Sequence, residues 1–251
     1  MRLLFTICGR AGSKGIKNKN LRDFVGKPLM YYSISAIDLF LKRTELVVEA
    51  DIVINSDSKE LLAMGVSNSM RPVDTIDRVA ELAGDSIGKV SVIQDCLIRM
   101  ENKKGYNYDA VIDLDITSPL RKVQDLEALV KKHFETNADV TTSVATARRN
   151  PYFNQLKRTE HGYKKVIASE FTARQQAPEI FDMNASLYAY RPDFLRTGKG
   201  VLDGYVECIE MYDTGILDLD HENDFELMEV IAKHLFANLE DFKVIYTNIS
   251  V

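Results

Sequence analysis

The sequence predicts an α/β protein built on a doubly wound, mostly parallel sheet. Three observations carry this. Runs of strand character recur at residues 3–8, 51–55 and 110–114. Each is followed by a stretch with apolar residues at helical spacing, and such alternation gives a parallel sheet with helices on its faces. A glycine-rich basic turn, residues 9–27, follows the first run. At the carboxyl end of a parallel strand, that turn is where a phosphate site is expected.

The elements follow in order. Tyr31, Tyr32 and Ile34, then Ala36, Ile37, Leu39, Phe40 and Leu41, form the first helical face. Ser56-Asp57-Ser58 caps a short helix over residues 59–64. Residues 65–88 are polar and read as irregular. Residues 90–100 and 123–134 have helical spacing, and 138–147 is rich in β-formers such as Val140, Thr141, Thr142 and Val144. The pattern changes after Ala147, where 148–182 is weakly periodic. Strands are predicted at 184–190 and 206–212, and a short apolar element broken by acids at 217–219. A helix over 221–236 has a stripe of Phe225, Leu227, Met228, Ile231, Ala232 and Leu235. Residues 243–246 read as a last strand. One domain spans 1–251, with 148–205 as an excursion from it.

A chain of 251 residues buries one substantial core. Its net charge of −5 argues against general nucleic-acid binding, which leaves a basic footprint. Cys8, Cys96 and Cys208 are far apart and odd in number, so neither a disulfide framework nor zinc spacing emerges. His133, His161, His221 and His234 form no H-x-x-x-H pair, and a zinc enzyme is not expected. No run reaches membrane-spanning length, and the first residues lack a signal-peptide core. The expectation is a cytoplasmic protein with no membrane or nucleic-acid partner.

The turn reads Gly9-Arg10-Ala11-Gly12-Ser13-Lys14-Gly15-Ile16-Lys17-Asn18-Lys19-Asn20. From Gly9 to Lys27 there are six basic residues (Arg10, Lys14, Lys17, Lys19, Arg22, Lys27) and one acidic one, Asp23. Glycines let backbone N–H groups approach an anion, and lysines neutralise it. The spacing fits neither G-x-x-x-x-G-K-[ST] nor G-x-G-x-x-G. A solvated basic connector is the competing reading.

Residues 7–16, followed by Lys19-Asn20, closely resemble the signature loop of the CMP-sialic acid synthetases, the acylneuraminate cytidylyltransferases. The resemblance implies a Rossmann-like sheet of the nucleotide-diphospho-sugar transferase type with an inserted dimerisation arm. It also implies that Gly9, Arg10, Ala11, Gly12, Ser13, Lys14, Lys19 and Asn20 grip the triphosphate of CTP. Arg78 opens Arg-Val-Ala-Glu-Leu-Ala-Gly-Asp85, similar to a family segment whose arginine contacts the nucleotide. A lone arginine is otherwise a surface residue. Lys89, four residues after Asp85, is expected to face the same cleft.

Thr117-Ser118-Pro119-Leu120-Arg121 resembles the family's second motif, normally preceded by Gln-Pro. Thr117 and Ser118 would bind base or sugar; Ser118 also reads as the N-cap of the next helix. The glutamine position holds Asp115. In the family that glutamine lies against the acidic sugar, so an aspartate puts plain sialic acid in doubt. Asp115 is balanced by a substrate amide N–H, by a second magnesium, or by Lys89. Residues 174–188 resemble another segment, in which Arg174 reaches the sugar pocket of a partner subunit and Asn184 and Tyr188 complete the match. The runs 149–154 and 182–186 look most like the branch acting on legionaminic acid.

Asp218 and Asp220, one residue apart on a strand-like element, present both carboxylates on one face. They read either as a magnesium site or as a solvent-facing edge. The run 218–225 resembles the family segment whose two aspartates hold magnesium. The expected reaction joins CTP to an acidic nine-carbon keto-sugar and releases pyrophosphate. Arg10, Lys14, Asp218 and Asp220 would act at the reacting phosphate, with no evident general base. The alternatives are sialic acid or Kdo as substrate, a sugar 1-phosphate with another nucleotide, or a nucleotide-binding regulator without turnover.

Overall fold

Strands that are apolar on both faces become central strands when helices cover both sides of the sheet. This is the case here, in a computed structural model that describes residues 1–12, 15–84 and 87–250. The chain begins with β1 (Arg2–Cys8), the glycine-rich turn, a small ribbon of β2 (Asp23–Phe24) and β3 (Lys27–Pro28), then α1 (Tyr31–Arg43). There follow β4 (Glu49–Ser56), α2 (Lys59–Val66), β5 (Asp74–Asp77), α3 (Lys89–Lys104), β6 (Ala110–Leu114), α4 (Val123–Thr136) and β7 (Val140–Thr146). A separate hairpin, β8 (Leu156–Thr159) and β9 (Gly162–Lys165), precedes β10 (Phe181–Tyr190). The chain ends with α5 (Pro192–Arg196), β11 (Val206–Glu210), α6 (Glu222–Asn238) and α7 (Glu240–Asn248).

Seven strands form the main sheet in the order β11-β7-β10-β6-β1-β4-β5. β6, β1, β4 and β5 run parallel, and β11 runs parallel to β7. β10 is antiparallel to both its neighbours, so the sheet is mixed and mostly parallel. On one face Leu3, Phe5 and Ile7 of β1 join α1, α4, α6 and α7 in a single core. On the other, Leu4, Val53 and Val111 meet Ile93, Cys96 and Leu97 of α3 and Phe194 and Leu195 of α5. Full burial of each large apolar side chain is worth about 1.5–3 kcal/mol.

Three sequence expectations change. Residues 65–88 are not wholly irregular: β5 forms the sheet edge, with only Ile76 buried among Asp74, Thr75 and Asp77. One buried side chain leaves too little alternation to see. Residues 243–246 form part of α7 rather than a strand. Val244 and Ile245 suggest β-structure locally, but Phe242, Ile245 and Ile249 are buried at helical spacing, and tertiary burial decides. The excursion expected over 148–205 is narrower. β10 lies between β6 and β7, so residues 148–180 are what leaves the main sheet.

Two cations of the turn are structural ties. Lys27 Nζ donates to the carbonyls of Tyr246 (2.8 Å) and Ile249 (2.7 Å), closing the C-terminal end of α7 where cations are favoured. Burial lowers its pKa. The Arg22 guanidinium pairs with Glu222 at 2.6 Å and lies 4.0 Å above the Phe225 ring.

His133 of α4 is buried, with Nδ1 3.0 Å from Thr141 Oγ1. Burial, aided by Arg191, pushes its pKa down to about 4. The unfolded chain therefore binds a proton that the fold rejects. Stability should fall by up to roughly 3 kcal/mol as pH drops from about 6.5 to about 4. In urea titrations at a series of pH values, His133→Gln should flatten that slope; an unchanged slope would assign it to other groups.

Candidate active site

The carboxyl ends of β1, β5 and β6 converge on a cleft of about 270 Å³, lined by Gly9, Arg10, Lys19, Asn20, Arg78, Lys89, Asp115 and Thr117 among others. Chain distance is bridged by the parallel sheet, which brings residues from four segments to one edge.

The turn is held on both sides. Gly9 N donates to Asn55 O at 3.1 Å, and a side chain at Gly9 would lie 2.6 Å from Leu61 Cδ2. Gly12 has φ +72°, which favours glycine. Ala11 N donates to Asp57 Oδ1 at 2.7 Å, and Asn20 Nδ2 donates to Arg10 O at 3.1 Å. Lys19 Nζ donates to Leu219 O and lies 3.4 Å from Asp220 Oδ1. A Cβ on Gly15 would sit 1.8 Å from Asp220 O, so the turn and the aspartate segment touch backbone to backbone. Ser13, Lys14 and Asp85 lie outside the described residues.

Arg78 is buried beside the turn. Its Nε donates to Asn55 Oδ1 (2.6 Å) and its Nη2 to Asn55 O (3.0 Å). Asn55 thus holds both Gly9 and Arg78. Sequence reading passed over it because a strand-end asparagine carries no motif.

The opposite wall is acidic. Lys89, the first residue of α3, lies 2.6 Å from Asp113 Oδ2 and 2.7 Å from Asp115 Oδ2. Asp115 Oδ1 accepts from Thr117 N (3.0 Å) and Thr117 Oγ1 (2.9 Å). Burial opposes its ionisation, but Lys89 and Thr117 outweigh it and hold the pKa down to about 2. Burial likewise works against the Lys89 charge, yet Asp113 and Asp115 raise its pKa well above the ordinary value. Of the three ways to balance Asp115, the fold supplies Lys89. The charge of Asp115 is therefore met within the fold rather than left to a substrate amide.

Tyr188 of β10 closes this wall, with Lys89 Nζ 5.9 Å from its ring centroid. Arg121 sits beneath, fully buried, donating to Ser33 Oγ (2.9 Å), Ser118 O (2.6 Å) and Asp115 O. Burial lowers its pKa to about 10. It fixes the turn that carries Asp115 and Thr117. Ser118 is buried and is not the N-cap of α4; Lys122 occupies that position, with Asp125 Oδ2 accepting its N–H at 2.7 Å. Pro119, Leu120 and Arg121 extend the turn before the helix.

Asp218 and Asp220 lie on an extended segment, not a strand, around the buried Leu219, whose N donates to Thr117 O at 3.2 Å. Asp218 is half-buried and Asp220 exposed. Burial and then the Asp115 charge raise the Asp218 pKa, with Asp220 adding to it. Among the described residues, no group of three or more His, Cys, Asp or Glu is placed to hold a metal ion. Two hard carboxylates still suit magnesium, which takes its remaining oxygens from phosphate and water.

Two expected substrate residues stand apart from this cleft within the chain. Arg174 lines a separate cavity with Thr146, Asn150 and Glu179, and donates to Ala147 O at 3.1 Å. The Asn184 side chain is buried, accepting from Ser143 Oγ (2.6 Å) and facing Met211 Sδ (3.4 Å). It sits at the β10 irregularity where Ala185 takes φ +53°.

A glycine-rich cationic turn thus faces an acidic wall at the carboxyl edge of a mixed, mostly parallel sheet. The sequence model described as Cytidylyltransferase matches residues 4–234, and the chain belongs to that family of enzymes. It is 33% identical over 240 residues to post-translational flagellin modification protein B of Campylobacter coli, spanning 96% of this chain and 99% of that protein. It is 32% identical, with the same coverage, to CMP-N,N'-diacetyllegionaminic acid synthase of Campylobacter jejuni. The solved structure of CMP:2-keto-3-deoxy-manno-octonic acid synthetase with CTP superposes with a TM-score of 0.63. That likeness covers 93% of this chain and 99% of that one at 15% identity, and it concerns the fold alone. The expected cytidylyltransferase resemblance is thus borne out. No helix among the described residues is long and apolar enough to cross a membrane.

Gly15→Ala tests the contact between turn and aspartate segment. The added methyl displaces one from the other, and a misplacement of about 1 Å costs about 100-fold in turnover. Steady-state kinetics should show that loss in a folded variant; wild-type rates would show that the contact is dispensable.

Proposed function

We propose that the protein transfers CMP from CTP to the anomeric hydroxyl of an acidic nine-carbon keto-sugar, releasing pyrophosphate. The observation that carries this reading is the divided cleft, with Arg10, Lys19 and Arg78 on one side and Lys89, Asp115 and Thr117 on the other. The cationic side suits a triphosphate. The acidic side suits the hydroxyl and amide donors of a sugar. Among such sugars legionaminic acid is favoured, because a relative matched over 96% of the chain is a CMP-N,N'-diacetyllegionaminic acid synthase. The preference no longer rests on Asp115, whose charge Lys89 already meets.

In this reading the sugar's anomeric oxygen forms a bond to the α-phosphorus as the bond to pyrophosphate breaks, and the hydroxyl proton is released to water. Arg10, Lys19 and Arg78, with Ser13 and Lys14, bind and align the phosphates. Positioning and charge neutralisation supply most of the acceleration. Asp218 and Asp220 would hold magnesium, which when bound offsets phosphate charge. Thr117 lines the sugar side, and the buried Ser118 and Tyr188 support it from behind. Arg174 acts across a homodimer, from an arm whose Leu156 and Tyr163 are exposed.

Pyrophosphate release from CTP should be stimulated by legionaminic acid about tenfold or more above sialic acid in kcat/KM. Equal or better use of sialic acid would refute the preference. No release with any acidic keto-sugar would refute the reaction.

Asp220→Asn should lower turnover by about two to three powers of ten, through several kcal/mol of lost charge stabilisation. Arg174→Ala should also be inactive. Mixing the two proteins should restore partial activity through dimers with one intact site; a fully active monomer by light scattering would refute sharing.

A further inference from the structure

Asp113 and Asp115 leave the end of β6 two residues apart, so their side chains share a face of the sheet. Asp113 is fully buried, taking Thr6 Oγ1 at 2.7 Å on one oxygen and Lys89 at 2.6 Å on the other. Asp115 reaches the cleft. Its Oδ1 is filled by the two Thr117 donors, and its Oδ2 takes Lys89 at 2.7 Å. Two carboxylates this close cannot both stay ionised unless a cation lies between them. Lys89 is that cation, and it enters from α3, which packs on this same face of the sheet beside Val111 and is anchored by the buried Val92 and Ile93.

A carboxylate oxygen has two acceptor sites. Among the described residues, Oδ1 uses both, whereas Oδ2 uses one, on Lys89. Asp115 therefore keeps one acceptor toward the cleft and has no proton to donate. The trio carries a net charge of −1, which disfavours a substrate carboxylate beside it and favours an O–H or N–H. We propose that Lys89 is a positioning residue for sugar specificity: it holds Asp115 ionised and immobile, so that the cleft accepts the donor-bearing edge of the keto-sugar and turns its carboxylate away. This rests on the reading of the chain as a keto-sugar cytidylyltransferase.

The test is steady-state kinetics on the full chain with CTP and the keto-sugar that the wild type uses best. Lys89→Met, Lys89→Arg, Asp115→Asn and the Lys89→Met/Asp115→Asn double variant are compared, each with its melting temperature. Lys89→Met should raise KM for the sugar about tenfold while KM for CTP stays within about twofold. Lys89→Arg should recover most of the loss. The double variant should be no worse than Asp115→Asn alone, since Lys89 acts through Asp115. Equal rises in both KM values, or losses that multiply in the double variant, would overturn the proposal. Should Lys89→Met not fold, adding Asp113→Asn removes the stranded buried charge, and the same KM split is read there. A wild type that turns over CTP with no acidic keto-sugar overturns the functional reading instead, before any variant is compared.

Discussion

The cleft depends on one constraint: the glycine-rich turn and the segment before α6 must stay locked together, although about two hundred residues separate them. Gly15 lies against the Asp220 carbonyl, Lys19 donates to the Leu219 carbonyl, and Arg22 pairs with Glu222. Lys27 extends the same seam to the end of α7. These contacts use cations that would otherwise repel one another in a short turn. They also set the gap between the cationic side and the aspartates. The C-terminal helices are therefore part of the site's scaffold, not a separate cap.

Most of the fold was legible because its signals are local. β1, β4 and β6 are apolar on both faces, and the helices after them carry clear stripes. What escaped was decided by distant packing. α7 carries β-branched residues but is held by Phe242 and Ile245 in the core. β5 buries one residue and takes its shape from pairing with β4. The direction of β10 has no signature in its own residues; it follows from the place left between β6 and β7.

The site was legible in its motifs and not in its wiring. Gly9, Arg10, Lys19, Asn20, Arg78, Asp115 and Thr117, picked out by their motifs, line one cleft. Asn55, which ties Gly9 to Arg78, has no pattern around it. Arg121 stood in a recognised pentapeptide, yet only burial shows that it braces the turn rather than meeting a ligand. Asn184 illustrates the converse, since a matched position faces Ser143 and Met211 inside the core.

The position of β10 has a consequence for how the chain reaches this state. β6 and β7 are successive strands, yet they do not pair, because β10 lies between them and arrives only after the excursion. During synthesis the inner edge of β6 stays open until residue 190 has emerged. Long-range pairing of this kind is slow, and an open apolar edge invites pairing with other chains. The four strands from β5 to β6 can assemble first as a parallel block. The other three join it afterwards, so completion of the sheet, and of the wall that Tyr188 closes, is a late event in folding.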